Sequence, residues 1–146
     1  MIWETIGSMA VRLDLDDDNW CYVCGKANPL GFRQRFLVED DEYVTYFTPR
    51  KEHQGYKDIV HGGITSTLLD EVMARCAIMR GCYAVTAELT VRFKKPARVG
   101  KKLRFSAVID SEDGRSITTS AKAVDEDGIL IATANGRIIK MCDEQQ

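Results

Sequence analysis

Histidine is scarce in this chain, with only His53 and His61. Two imidazoles exclude a histidine-rich metal centre. Excess positive charge is absent too: 20 Lys and Arg stand against 22 Asp and Glu, a formal net charge of −2, which argues against general affinity for nucleic acid or an anionic membrane. No segment approaches the roughly 20 apolar residues of a membrane-spanning helix, and the first thirty residues lack the basic start and apolar run of a signal peptide. A cytoplasmic protein with no membrane and no nucleic-acid partner is therefore expected. The cysteines are few and odd in number: Cys21, Cys24, Cys76, Cys82 and Cys142. That count does not make a secreted disulfide framework, so free thiols in a reducing compartment are expected. Cys21-Tyr22-Val23-Cys24 has the spacing of half a zinc site, yet no second Cys or His pair follows to supply four ligands. Nor does it open a helix after a strand, as a thioredoxin-like motif would. No metal and no cofactor are expected.

What the chain does have is one long amphipathic helix. From Ile64 to Met79 there is no Pro or Gly, and Ile64, Leu68, Leu69, Val72, Met73, Cys76 and Met79 recur at three-to-four-residue spacing before Gly81. The helix is entered through His61-Gly62-Gly63, which leaves bare amide N–H groups at the positive end of the helix dipole. Such an end attracts an anion or a polarised carbonyl, and glycine lets it come close.

At 146 residues, 45% hydrophobic and 29% charged, the chain is long enough and apolar enough for one globular domain. Residues 1–20 read as a lead segment, amphipathic over 3–15 and acidic at Asp16-Asp17-Asp18, and residues 21–146 as the domain. Two strands are expected before the helix, at 32–38 and 42–48, joined by an Asp40-Asp41 turn. Four follow it, at 83–93, 102–109, 116–124 and 129–141. Asn135-Gly136 inside the last run is read as a bulge or a point of close approach. This order predicts an α+β domain, a mostly antiparallel sheet wrapped around one helix.

Asp70 and Glu71 are neighbours with different surroundings. Glu71 has Arg75 four residues downstream, the favourable order for a helix ion pair. Asp70 has no cation on its own helix, and an unpaired carboxylate among apolar residues is costly unless it finds a partner or does chemistry. Gly62 and Asp70 lie about 12 Å apart along the helix at 1.5 Å per residue. A donor N–H and a carboxylate acting on one carbonyl must each come within roughly 3 Å of it. One helix cannot bring both to the same carbonyl, so a shared site needs a second, antiparallel copy of the chain. Ser66 and Thr67 lie inside the helix without a His-Asp pair, so a serine-hydrolase triad is not expected.

His61-Gly62-Gly63, six residues, then Asp70-Glu71, preceded by His53-Gln54-Gly55-Tyr56, resembles the hotdog-fold acyl-CoA thioesterases of the phenylacetate-pathway and 4-hydroxybenzoyl-CoA thioesterase group. Residues 86–96 resemble that family's strand after the helix, and Cys24-Gly25 with Asn28-Pro29-Leu30-Gly31 an opening found in many of its members. The resemblance implies a hotdog fold, an acyl-CoA substrate, and a homodimer or a dimer of dimers. Carried over by position, Gly62 N–H would hold the thioester oxygen, with His61 shaping the turn. Asp70 of a partner subunit would be nucleophile or general base, and Thr86 would orient water. The family often has Asn or Gln where this chain has Gly55; Gln54 stands one residue earlier. Gly63, Gly55 and Glu71 are further candidates for substrate contact. Lys94, Lys95 and Arg98, with Lys101 and Lys102, form a basic cluster that would meet the coenzyme A phosphates or serve as a solvated edge. The expected function is hydrolysis of an acyl-CoA thioester; the alternative is a non-catalytic acyl-CoA-binding module on the same fold.

Overall fold

The expected helix forms and ends where glycine stops it. In the computed structural model, which describes residues 15–142, α1 spans Gly62–Ile78, and Gly81 follows at φ +86°. Leu68, Leu69, Val72, Met73, Cys76 and Ala77 form its buried stripe, each at most 1% exposed. Around that stripe curls one six-stranded antiparallel sheet: β1 (Leu37–Glu39), β2 (Glu42–Phe47), β3 (Ala84–Phe93), β4 (Leu103–Asp113), β5 (Ser116–Asp125) and β6 (Leu130–Lys140), in the spatial order β1-β2-β4-β5-β6-β3. The architecture is the α+β hotdog arrangement. The lead segment read over 3–15 lies outside the described residues, Leu15 excepted. No helix among them is long and apolar enough to cross a membrane.

Turn chemistry sets the hairpins. Asp40 and Asp41 both take positive φ, +49° and +64°, the geometry that lets a two-residue turn match the twist of β1 and β2. Gly136 is a point of close approach: a Cβ there would lie 3.1 Å from Thr119 Oγ1 and 3.3 Å from Met73 Sδ, where α1 packs on the sheet.

Three expectations are corrected. The strand read at 32–38 shrinks to β1, because Arg33 adopts φ +51° and Phe32 turns inward onto Phe47 and His53. Gln34 then donates from its side chain to Thr45 Oγ1 (2.8 Å) and the Tyr46 carbonyl (2.7 Å) and from its backbone N–H to the Val23 carbonyl (2.8 Å), so bonds outside the sheet ladder hold this segment. The strand read at 102–109 runs on to Asp113, passing Asp110 through a bulge between Ile109 and Ser111. Finally, Cys82 and Cys142 form a disulfide and are not free thiols. Ladder register explains the pairing. Ala84 faces Lys140 across the β3–β6 pair, and continuing that register two residues outward on each strand brings 82 opposite 142. With this bond in place the cysteine count no longer argues for a reducing compartment.

His53 ends a short 3-10 turn (Lys51–His53) and sits in the core, 8% exposed, its ring 5.0 Å from Phe47 and 5.3 Å from Phe32. Its Nδ1 accepts from the Arg50 N–H (2.9 Å). Burial, and then the nearby Arg50 charge, push its pKa below the ordinary 6.5. Between that lowered value and 6.5 the unfolded chain binds a proton that the folded chain refuses. Stability contributed by neutral His53 is therefore present above pH 6.5 and falls as pH drops through this window. The urea midpoint should fall between pH 7.5 and 5.5, and His53→Gln should flatten that fall; equal slopes for both proteins would exclude His53 as the titrating group.

Candidate active site

The two glycines at the start of α1 have separate tasks. His61 caps the helix, its Nδ1 accepting from the Gly63 N–H at 2.9 Å, while its own N–H donates to the His53 carbonyl at 2.9 Å. Gly63 makes room for that ring, since a Cβ there would lie 3.0 Å from Nδ1. With Gly63 occupied, the Gly62 N–H has no acceptor among the described residues and stands at the positive end of the helix dipole. It opens on a depression of about 330 Å³ walled by Ile59, Val60, Thr65, Phe93, Lys94 and Lys95. A Cβ on Gly62 would come 3.3 Å from the Phe93 ring.

The loop before the helix is braced internally. Gly55 N–H donates to the Ile59 carbonyl (2.8 Å), and Gln54 Oε1 accepts from the Asp58 N–H (3.2 Å), so the Gln54 amide oxygen is held within its own loop. Gly55 lies against His61, with a Cβ position 3.4 Å from the His61 Cα. The basic cluster divides. Lys94 and Lys95, whose N–H groups both donate to the Ile131 carbonyl (2.8 and 3.1 Å), are set beside Gly62, and Arg98 is bridged to Ile59 next to them. Lys101 instead pairs with Asp125 and Asp127, and Lys102 lies over the Tyr46 ring at 4.7 Å.

Two turns along α1, Asp70 is half-buried and accepts a hydrogen bond from Thr86 Oγ1 at 2.7 Å. Thr86 adjoins the bulge in β3, at the break in register between Thr86 and Glu88. A bulge re-aims side chains locally, and here it accompanies a hydroxyl directed at the carboxylate. The fold thus brings Asp70 and Thr86 together, and separately gathers Gly62, Lys94 and Lys95. It does not bring the two groups together within one chain.

Glu71 is not the surface ion pair that its spacing implies. It pairs with Arg75 (Nη2 3.7 Å), but its side chain is only 17% exposed and the Cys21 thiol lies 3.9 Å from its Oε1. Burial raises its pKa, partly offset by Arg75. Burial likewise pushes Cys24 up to about 12, helped by its hydrogen bond with Cys21 and by the Glu71 charge. The meeting of Cys21, Cys24 and Glu71 was hidden in the sequence, where 46 residues lie between Cys24 and Glu71.

Residues 57–132 match the family model described as the thioesterase superfamily. The bovine acyl-coenzyme A thioesterase THEM4 is 29% identical over 128 residues, covering 85% of this chain and 52% of that protein, so the chain spans about half the length of that relative. Among solved structures, the thioesterase superfamily protein RHA08564 superposes with a TM-score of 0.76 at 25% identity, over 88% of this chain and 69% of that one. The BH2602 protein of Bacillus halodurans, solved with CoA, gives 0.68 at 26% identity over 75% of each chain.

Proposed function

The chain belongs to the thioesterase superfamily, and from that premise we propose that it hydrolyses an acyl-CoA thioester to a free acid and coenzyme A. The observation that carries this reading is on α1: a glycine N–H left without an acceptor among the described residues at the helix entrance and, two turns on, a carboxylate bonded to a hydroxyl. The Gly62 N–H would hold the thioester oxygen as it gains negative charge, with the helix dipole behind it. Asp70 would attack the carbonyl or take a proton from the attacking water. Lys94 and Lys95 beside Gly62 fit an anionic coenzyme, and the CoA of the Bacillus halodurans structure and the name of the bovine relative support the substrate class.

The about 12 Å between Gly62 and Asp70 along α1 requires two chains for one site. Strand β3 supports such a pairing. It is a ten-residue edge of the sheet, partnered on one side by β6, and it ends in a Phe93 that is 57% exposed beside Gly62. A long open edge of this kind is a template for pairing with another strand. An antiparallel dimer about a two-fold axis would place Asp70 of each chain at the partner's Gly62 and create two identical sites.

A thiol-release assay across short, long and aromatic acyl-CoAs tests the activity. At least one should turn over; binding of all without release of thiol would instead favour the acyl-CoA-binding module. On the substrate that turns over, Thr86→Val keeps shape and removes the hydroxyl that aims Asp70. A hydrogen bond to a charged group contributes about 1.5–3 kcal/mol, so kcat should fall roughly ten- to hundredfold with KM little changed. An unchanged kcat would leave Thr86 as an ordinary strand residue.

A further inference from the structure

Cys21 and Cys24 supply two of the donor atoms that a thiolate metal site needs, and the fold adds a third. The two Sγ atoms and a carboxylate oxygen of Glu71 all lie within 4.8 Å of one another, Cys21 Sγ being 3.9 Å from Glu71 Oε1. In a tetrahedral zinc site with bonds of about 2.3 Å to sulfur and 2.0–2.2 Å to oxygen, neighbouring donor atoms stand about 3.6–3.8 Å apart. Reaching that spacing takes contractions of roughly an ångström at most, which side-chain rotation supplies. We propose that Cys21, Cys24 and Glu71 bind a zinc-class divalent cation that clamps the 21–24 turn onto helix α1.

Three further features are those of a built site. The Cys-x-x-Cys turn is closed by backbone bonds, Gly25 N–H to the Cys21 carbonyl (2.9 Å) and Ala27 N–H to the Asn19 carbonyl (3.0 Å). Only glycine fits after the second cysteine: a Cβ on Gly25 would lie 2.4 Å from the Cys21 nitrogen and 2.6 Å from its oxygen, so this turn is constrained in the form that brings both thiols to one place. Glu71 stands on α1 between the buried Leu69 and Val72, so the third ligand is rigidly presented.

Charge completes the case. Arg75 faces the cluster, with Nη2 3.7 Å from Glu71, its guanidinium carbon 4.8 Å from the Phe36 ring centre, and its Nε buried without an acceptor among the described residues. Two thiolates and one carboxylate carry three negative charges. A divalent cation and Arg75 carry three positive ones, so Arg75 balances the occupied site instead of opposing it. Binding releases the two thiol protons to solvent. Three protein ligands leave a fourth position for water, and the cluster opens on a cavity of about 460 Å³ whose rim includes Asp16, Asp17, Asp18 and Trp20. The site is one residue along the helix from Asp70 but is independent of the thioesterase reading.

The test is titration of the full chain, reduced with a phosphine and stripped by a chelator, with Co²⁺ as the probe. One equivalent should produce a thiolate-to-cobalt charge-transfer band and the intense visible bands of four-coordinate cobalt, and Zn²⁺ should abolish both. Cys21→Ser and Cys24→Ser should each weaken the charge-transfer band and lower affinity at least tenfold, Glu71→Gln should lower affinity with both thiolates retained, and Cys82→Ser with Cys142→Ser should leave the spectrum unchanged. Far-ultraviolet circular dichroism establishes that each variant is folded. Absence of the band with both thiols free, a band that survives Cys21→Ser, or a Cys21–Cys24 disulfide that resists reduction would overturn the proposal.

Discussion

Asp70→Asn is expected to lower kcat of thiol release by about 10²–10⁴-fold, the range over which a positioned acid–base group contributes. The substitution is a sensitive one because it changes so little else. Asparagine keeps the shape of the side chain and an oxygen that accepts from Thr86 Oγ1, the bond now 2.7 Å long, so thermal unfolding should shift only slightly. What the amide loses is the ability to take a proton or attack a carbonyl at ordinary pH. KM should stay within a few-fold, because the substitution leaves in place the groups proposed to hold the coenzyme, Lys94 and Lys95 beside Gly62. Turnover close to that of the unaltered protein would sink the role of Asp70, and with it the reading of α1 as a catalytic helix.

The second large effect is a recovery of activity. Gly62→Val should abolish turnover: a Cβ already comes 3.3 Å from the Phe93 ring, and the branched side chain would fill the space through which a thioester oxygen reaches the Gly62 N–H. Mixed and reassembled with inactive Asp70→Asn, it should regain activity. If each site takes Gly62 from one chain and Asp70 from the other, half of the dimers are mixed and one of their two sites is intact, which gives about a quarter of the unaltered rate. A single-chain site allows no such rescue, so a mixture as inactive as its parents, with mixed dimers demonstrated by mass, would exclude sharing across the two-fold axis.

Much of this site was legible in order along the chain. The helix follows from a three-to-four-residue apolar period, the β1–β2 turn from Asp40-Asp41, and the carboxylate from the absence of a cation four residues from Asp70, while Glu71 has Arg75. The wrapping of β3 against α1 sets the Thr86 hydroxyl 2.7 Å from Asp70, and its proposed role toward water is left to the Thr86→Val test. Less legible was the division of labour between Gly62 and Gly63, which depends on the His61 ring folding back to bond one N–H and leave the other. The basic cluster read as a unit because its members are close in sequence, but Asp125 and Asp127 of a later hairpin capture Lys101.

What the amino-acid order determined by itself was therefore everything governed by neighbours a few residues apart: the period of α1, its stop, the β1–β2 turn, and the about 12 Å between Gly62 and Asp70 on which the proposal of a two-chain site rests. What only the tertiary structure decided was everything governed by register and wrapping. The β3–β6 ladder joined Cys82 to Cys142, the inward turn of Phe32 shortened β1, and the approach of the 21–24 turn to α1 set two thiols against Glu71. Local rules are written into spacings of two to four residues, whereas these meetings depend on how the sheet closes around the helix, which no short window of sequence contains.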